Sequence, residues 1–149
     1  MKYPNSKSYD GGGIYTLVNG VKGSSNHGDG FWKGFNKNDL VATIDLGEAS
    51  DISSLEVDAV KNAGAWIFFP QEVVFEVSED GKTFRGLGKV FHKVSATSAE
   101  KITHNFTINK KARNVRYVRV TARNLGMCPP GHAGEGQSAW LFVSEIIVR

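Results

Sequence analysis

Val73-Val74-Phe75-Glu76-Val77-Ser78-Glu79-Asp80-Gly81-Lys82-Thr83-Phe84 sets the fold class of this chain. Residues 73–78 are mostly β-branched or aromatic, types that pack well on a pleated surface. Glu79 to Lys82 then collects turn formers. Asp80-Gly81 is a strong hairpin signal, because both residues tolerate the left-handed backbone of a tight turn. Phe84 to Val90 returns as a second strand. The local unit is therefore an antiparallel pair.

The same grammar extends in both directions. Leu40 to Leu46 reads as a strand closed by Gly47. In Ile52 to Val60, Leu55, Val57 and Ala59 mark one inward face, with a slip at Ile52. His104 to Ile108 alternates, with Phe106 and Ile108 on one side. In Val115 to Thr121, Val118 and Val120 share a face with Arg116 at its edge, while Tyr117, Arg119 and Thr121 share the other. Ala139 to Val148 is the final strand. No amphipathic helix of about ten residues or more interrupts the series, which excludes a parallel α/β architecture. About eight short strands separated by turn signals predict an all-β antiparallel sandwich or a closed barrel.

Composition narrows the function classes. The chain has 149 residues, 40% apolar and 22% charged, the profile of one folded domain with a real core. Formal net charge is +3. Basic residues concentrate only at Lys110, Lys111, Arg113, Arg116 and Arg119. Arg116 and Arg119 are expected on opposite faces of their strand. That is no basic stripe, and nucleic acid is excluded as a partner. Cys128 is the sole cysteine, so no internal disulfide forms. No run approaches the roughly 18 apolar residues of a membrane span. The polar start, Met1 to Lys7, is not a signal-peptide core, so the chain is expected to be a single domain, 1–149, excised from a larger exported protein.

The motifs of catalysis are missing. His27, His92, His104 and His132 show no zinc-ligand spacing. Glu79-Asp80 sits in a predicted turn, where solvation explains it. Gly11-Gly12-Gly13 lacks the strand-to-helix context of a phosphate cradle. Cys128 reads as an inert loop residue. The chain is expected to be no enzyme.

Binding features remain. A Gly/Pro-rich loop from Cys128 to Ser138 carries His132 and Glu135, and long loops in compact domains usually serve a purpose. Two aromatic clusters stand out: Phe31, Trp32 and Phe35, and Trp66, Ile67, Phe68 and Phe69. Core packing accounts for most of them. The second run is too dense for every side chain to point inward along a strand. At least one of Trp66 and Phe68 is expected at a loop tip, where an open aromatic face pairs with the apolar face of a sugar ring.

Several segments, in order, resemble the discoidin-like, coagulation factor V/VIII type C domains, in the branch that includes family-32 carbohydrate-binding modules. Leu17-Val18-Asn19-Gly20-Val21-Lys22-Gly23-Ser24 followed by Trp32 is similar to that family's opening loop and tryptophan. Asp45-Leu46-Gly47, Val77 to Phe84, Arg116 to Val120 and Ser144-Glu145-Ile146 are similar to its later strands. Trp32-Lys33-Gly34-Phe35, Trp66 to Pro70 and Ala139-Trp140-Leu141-Phe142 resemble the C-terminal modules of secreted bacterial β-N-acetylhexosaminidases (chitobiases).

The resemblance implies a β-sandwich jelly roll of about eight strands. It implies a non-catalytic carbohydrate-binding accessory module of a glycoside hydrolase, located in the periplasm, at the cell surface or outside the cell. Expected partners are a glycan containing N-acetylhexosamine or galactose and the catalytic domain of the parent enzyme. The sugar contacts carried over are Trp66, Phe68, Asn124, His132 and Glu135. Many relatives hold a structural calcium. The matching oxygens here are Asn19, the carbonyl of Val21, Ser24, the carbonyl of Ser144, and Glu145, a hard-oxygen set that suits that ion. Asn19 stands where Asp is usual, which removes one negative charge, and Gly131 stands where an aromatic usually precedes the histidine. The alternative is a structural domain packed on its parent enzyme, with Trp66 and Phe68 in the contact. A membrane-surface role, with Phe68 as an apolar spike, is disfavoured by the lack of a basic cluster at that loop.

Overall fold

A computed structural model describes all of residues 1–149. Its eight strands are β1 (Lys33–Asn36), β2 (Leu40–Ile52), β3 (Leu55–Asn62), β4 (Val73–Ser78), β5 (Arg85–Val90), β6 (Lys101–Ile108), β7 (Ala112–Ala122) and β8 (Trp140–Val148). They form two four-stranded sheets, ordered β1-β8-β3-β6 and β2-β7-β4-β5, with every pairing antiparallel. This is the sandwich the sequence predicts.

The β4–β5 hairpin forms where Asp80-Gly81 lies. Asp80 Oδ1 accepts the backbone N–H of Lys82 and of Thr83, each at 2.8 Å, and the Ser78 hydroxyl at 2.9 Å. These donors hold its carboxyl at about 2, the backbone N–H of Thr83 contributing most. Gly81 sits at φ 71, the left-handed region that glycine enters without a Cβ clash. Between the sheets, Leu55, Val57, Ala59, Phe75, Val77, Phe106, Val118 and Val120 interlock in one core.

Two expectations need correction, and one strand, β1, lies outside the sequence reading. Gly47 does not close its strand. At φ 87 it sits in an irregularity where the β2–β7 register shifts between Asp45 and Ser50, and pairing resumes to Ile52. Strand β1 carries no readable period: Phe35 is buried, but its neighbours Lys33 and Gly34 are buried too. Arg116 and Arg119 also end on the same side. Arg119 grips Glu76 at 2.7 and 2.8 Å, and Arg116 grips Asp45 at 3.0 and 3.1 Å, both carboxylates lying on the outer face of the second sheet. Each guanidinium is paired with a carboxylate.

On the first sheet, β6 turns an exposed outer face to water, but β3 does not. Every residue of β3 is buried, although an antiparallel strand commonly leaves one face in water. The segment between Tyr9 and Trp32 covers that face. Trp32, Val60, Ile67 and Phe142 form a second apolar cluster there, with Tyr9 and Trp140 against it. Charged groups pin the cover. The fully buried Lys33 ammonium donates to the Asp10 carbonyl and carboxylate, each at 2.8 Å, and to the Gly13 carbonyl at 3.0 Å. Lys22 bonds Glu56 of β3 and, at 3.0 Å, Asn105 of β6.

Candidate functional site

At one end of β3 the chain makes a tight loop. Asn62 and Ile67 exchange backbone hydrogen bonds of 3.0 and 3.1 Å across it. Inside, a short 3-10 turn (Ala63–Ala65) ends on Trp66, which adopts φ 62 and ψ 24. Left-handed geometry is rare for a bulky residue, and such outliers cluster where structure serves function. The Trp66 N–H donates to Ala63 at 2.8 Å, and its carbonyl accepts the Trp140 N–H at 2.9 Å. The indole is left 38% exposed. Its edge rests on Gly134, where a Cβ would lie 2.7 Å from the indole.

The other sugar contacts inferred from resemblance fare differently. Phe68 is buried at 2% exposure, packed with Ala63, Cys128 and Ala139, and edge-on to His132 at 5.3 Å. It is a core residue and not a ligand contact. The left-handed turn at Trp66 breaks the alternation that would set Trp66 and Phe68 on one face: that ring is turned outward, and the residues after it run beneath the 126–139 loop. Asn124 is also buried. Its amide donates to the carbonyls of Phe35 at 3.0 Å and Asn38 at 3.1 Å, and accepts the Gly126 N–H at 2.9 Å. Those bonds hold the loop base and leave no group for a ligand.

His132 has both ring nitrogens engaged. Nδ1 accepts the Gly134 N–H at 3.0 Å, so Nε2 donates to the Ala63 carbonyl at 2.8 Å. Its work is to clamp the Gly/Pro loop onto the turn that carries Trp66. Glu135 is exposed, with one oxygen accepting the Gly131 N–H at 2.9 Å. Burial pushes the Cys128 thiol up, in keeping with an inert residue.

Sequence reasoning passed over a second set of residues beside Trp66. Tyr9, Ala65, Ile67, Trp140 and Phe142 line an apolar cavity of about 100 Å³ whose remaining wall is His27. On the other side of His27, residues Ser25, Asn26, Asn62 and Lys101 surround a polar pocket of about 250 Å³. Tyr9 meets Phe142 edge-on at 4.8 Å and Trp140 at 5.5 Å. The only sequence signal was aromatic density in Ala139 to Phe142. His27 and Tyr9 come from a segment with no strand pattern.

The oxygens matched to calcium gather partway along β3, around Asp58. Glu145 and Asp58 are directly paired across β8 and β3, and both are buried. Glu145 Oε2 has no hydrogen-bond partner. Burial pushes both carboxyls up; the Asp58 charge raises Glu145 further, and the Glu56 charge raises Asp58. An orphaned, desolvated carboxylate oxygen beside a second carboxylate fits a hard cation. The backbone amides of Asn19, Gly20 and Val21 also face Glu145, which brings the opening loop to it. Two members of the set are turned elsewhere. Asn19 Oδ1 accepts the Val21 N–H at 2.9 Å, and the Ser24 hydroxyl donates to Asp29 at 2.8 Å. No group of three His, Cys, Asp or Glu side chains gathers here or elsewhere, so backbone carbonyls would complete any coordination.

Comparison with known proteins agrees with this frame. No curated protein sequence matches the chain. The fold is similar to the C-terminal domain of a chitobiase from Bacteroides fragilis (18% identity, TM-score 0.53, covering 94% of this chain and 81% of that one). It is similar to a family-32 carbohydrate-binding module of a family 31 glycoside hydrolase from Clostridium perfringens (18% identity, TM-score 0.58, 98% and 88% covered). A third similar structure is another Clostridium perfringens family-32 module, solved in complex with GalNAc-β-1,3-galactose (18% identity, TM-score 0.51, 89% and 80% covered). The sequence model of the F5/8 type C domain matches residues 4–140. With that match running from the covering segment into β8, this chain belongs to the F5/8 type C domain family, whose members are non-catalytic binding modules.

Proposed function

We propose that this chain binds glycans as an accessory module of an exported glycoside hydrolase of the β-N-acetylhexosaminidase type. The observation that carries the reading is Trp66: a large ring held in water on a left-handed turn, backed by Gly134 and fixed by the Ala63–His132 clamp. A rigid exposed ring loses little entropy on stacking against a sugar, whereas a flexible one gives that up on binding. The similar modules are parts of glycoside hydrolases, and one holds a galactose-containing disaccharide. Weak single-site affinity suffices: a millimolar dissociation constant is about −4 kcal/mol, and tethering to a catalytic domain raises the effective concentration.

Glycan-array binding with Trp66→Ala as the control tests this. Specific hits that weaken by about tenfold or more in the variant are expected, the scale of one well-stacked aromatic contact. Hits unchanged in Trp66→Ala would remove the ring from the site.

A second reading, contact with the parent enzyme, is favoured by a different surface. Ile14 is 81% and Tyr15 71% exposed, with Val18 and Val21 also in water. Apolar residues grouped on one loop mark protein contacts. The membrane reading loses its spike, because Phe68 is buried. No helix is long and apolar enough to cross a membrane.

We also propose that Glu145, with the Val21 and Ser144 carbonyls and the backbone carbonyls of Asn19 and Ser24 in place of their engaged side chains, holds calcium. The ion would supply the positive charge that the paired Asp58 and Glu145 carboxylates lack.

A further inference from the structure

We infer that the crossing from β5 to β6, residues 91–100, is an acid-released strap: it lies closed while the His92 ring is neutral and lifts when that ring takes up a proton.

The crossing joins the edge strands of the two sheets. Val94 packs on the main core, and Ala96 rests on the cluster of Ala63, Phe68, Cys128 and Ala139 under the Trp66 turn. Lys61 of β3 is the first tie. It is 1% exposed and takes the next inward position after Ala59. Its ammonium has a neutral partner: it donates to the Ser98 carbonyl, and to the Ser98 hydroxyl at 2.8 Å.

His92 is the second tie. Its ring meets Phe69 edge-on at 5.4 Å and Phe106 at 5.9 Å. Its Nδ1 accepts the Val94 N–H at 3.1 Å, a bond open only to an unprotonated nitrogen. A proton placed there sets one N–H against another.

The surroundings also oppose the charge. Burial comes first in pushing the His92 imidazole below its ordinary 6.5, and the charges of His104 on β6 and Lys61 on β3 push the same way, against the backbone groups of Val94 and Pro70. His104 packs on the same two rings, at 4.8 Å from Phe106 and 5.8 Å from Phe69. Lys93, in the strap itself, has the same sign. The carboxylates of the neighbouring segments are engaged elsewhere. Glu72 is held by Lys89 at 3.1 Å and Arg123 at 2.6 Å, Glu135 accepts the Gly131 N–H, and Glu100 acts on Lys61. On the 126–139 loop, His132 is bonded to Ala63. An opened strap puts the His92 ring in water, where it binds the proton more readily. The closed strap therefore keeps its full stability above 6.5 and loses it as pH falls from 6.5 through the lowered value.

Hydrogen exchange of the full chain, corrected for intrinsic rates, at about pH 8 and about pH 5 covers the range in which a histidine changes charge. Protection of residues 91–100 is expected to fall severalfold more than that of β7. His92→Asn sets an amide oxygen near the place of Nδ1 and cannot titrate, so its strap should be equally protected at both pH values. His104→Gln removes one opposing charge and should shrink the fall. NMR titration of the unaltered chain needs no variant: the His92 ring should titrate below 6.5, and the Val94 N–H signal should move with the same midpoint. Protection of 91–100 indifferent to pH, a fall undiminished in His92→Asn, or a His92 ring titrating at or above 6.5 overturns the strap.

Discussion

Trp66 keeps its ring in water because the backbone beneath it is held at three points: the Ala63 carbonyl, the Trp140 N–H and the missing side chain of Gly134. None of these is visible as a pattern in the sequence. At this scale Glu145 is the opposite case, a group held in a place that disfavours its charge. Burial raises its carboxyl above the ordinary 4.5. The folded state then binds this proton more readily than the unfolded chain does, so the group's contribution to stability falls as pH rises from 4.5 through the raised folded value. Below 4.5 both states are protonated and the effect vanishes. Glu145→Gln is therefore expected to increase calcium-free stability at neutral pH, on the order of 1 kcal/mol, and to flatten this part of the pH dependence. Urea denaturation with chelator present, run across that range, measures it. A variant less stable than the parent at neutral pH under chelation would show that Glu145 is satisfied by the loop amides alone.

Among elements, the 126–139 loop is the informative one. It is rich in glycine and proline, yet it is not free: Cys128 and Gln137 pair at 2.8 Å, Asn124 holds its base, and His132 ties its tip to Ala63. Phe68, Cys128 and Ala139 form the apolar plug beneath it. Phe68→Ala is expected to lower stability by about 3–5 kcal/mol, the range for a fully buried phenylalanine. It should also loosen the loop and with it Trp66, seen as a rise in hydrogen exchange from 126 to 139. Loss of stability without loop loosening would separate the plug from the loop. The hairpin at Asp80-Gly81 was legible because its signal is local, a turn former between two alternating runs. The extension of β2 past Gly47 was not, because a bulge is defined by the partner strand and leaves only a glycine in the sequence.

For the molecule as a whole, the covering segment between Tyr9 and Trp32 decides what the first sheet can do. It turns a face that alternation would leave wet into a second apolar cluster, and it contributes Tyr9 and His27 to the cavities beside Trp66. Lys33 is its inner rivet. Lys33→Met is expected to cost about 2–3 kcal/mol, because three acceptors lose their donor while Asp10 can turn to water. Chemical denaturation gives the energy, and a larger susceptibility of residues 9–32 to proteolysis shows which element is released. Calcium should act on the same segment from its other end. Saturation at about 100 times the dissociation constant adds about 2.7 kcal/mol, or roughly 5–10 °C in Tm for a chain of this size, reversed by chelator and absent in Glu145→Gln. A melting temperature indifferent to calcium and chelator would remove the ion from this fold.

The sequence by itself determined every strand but β1, the hairpin, the inward faces of β3 and β7 and the family, because these depend on residue type at short range and on period-two alternation. It also marked Trp66 and Phe68 as rings of which at least one is exposed. Only the tertiary structure shows that it is Trp66, since the left-handed backbone there turns that ring out while Phe68 packs under the 126–139 loop. The hydrogen-bonded pair His27–Asn62 was beyond the sequence for the same kind of reason. Its members lie 35 positions apart, and contacts of that separation are made by the packing of the covering segment on the sheet, which no local pattern encodes.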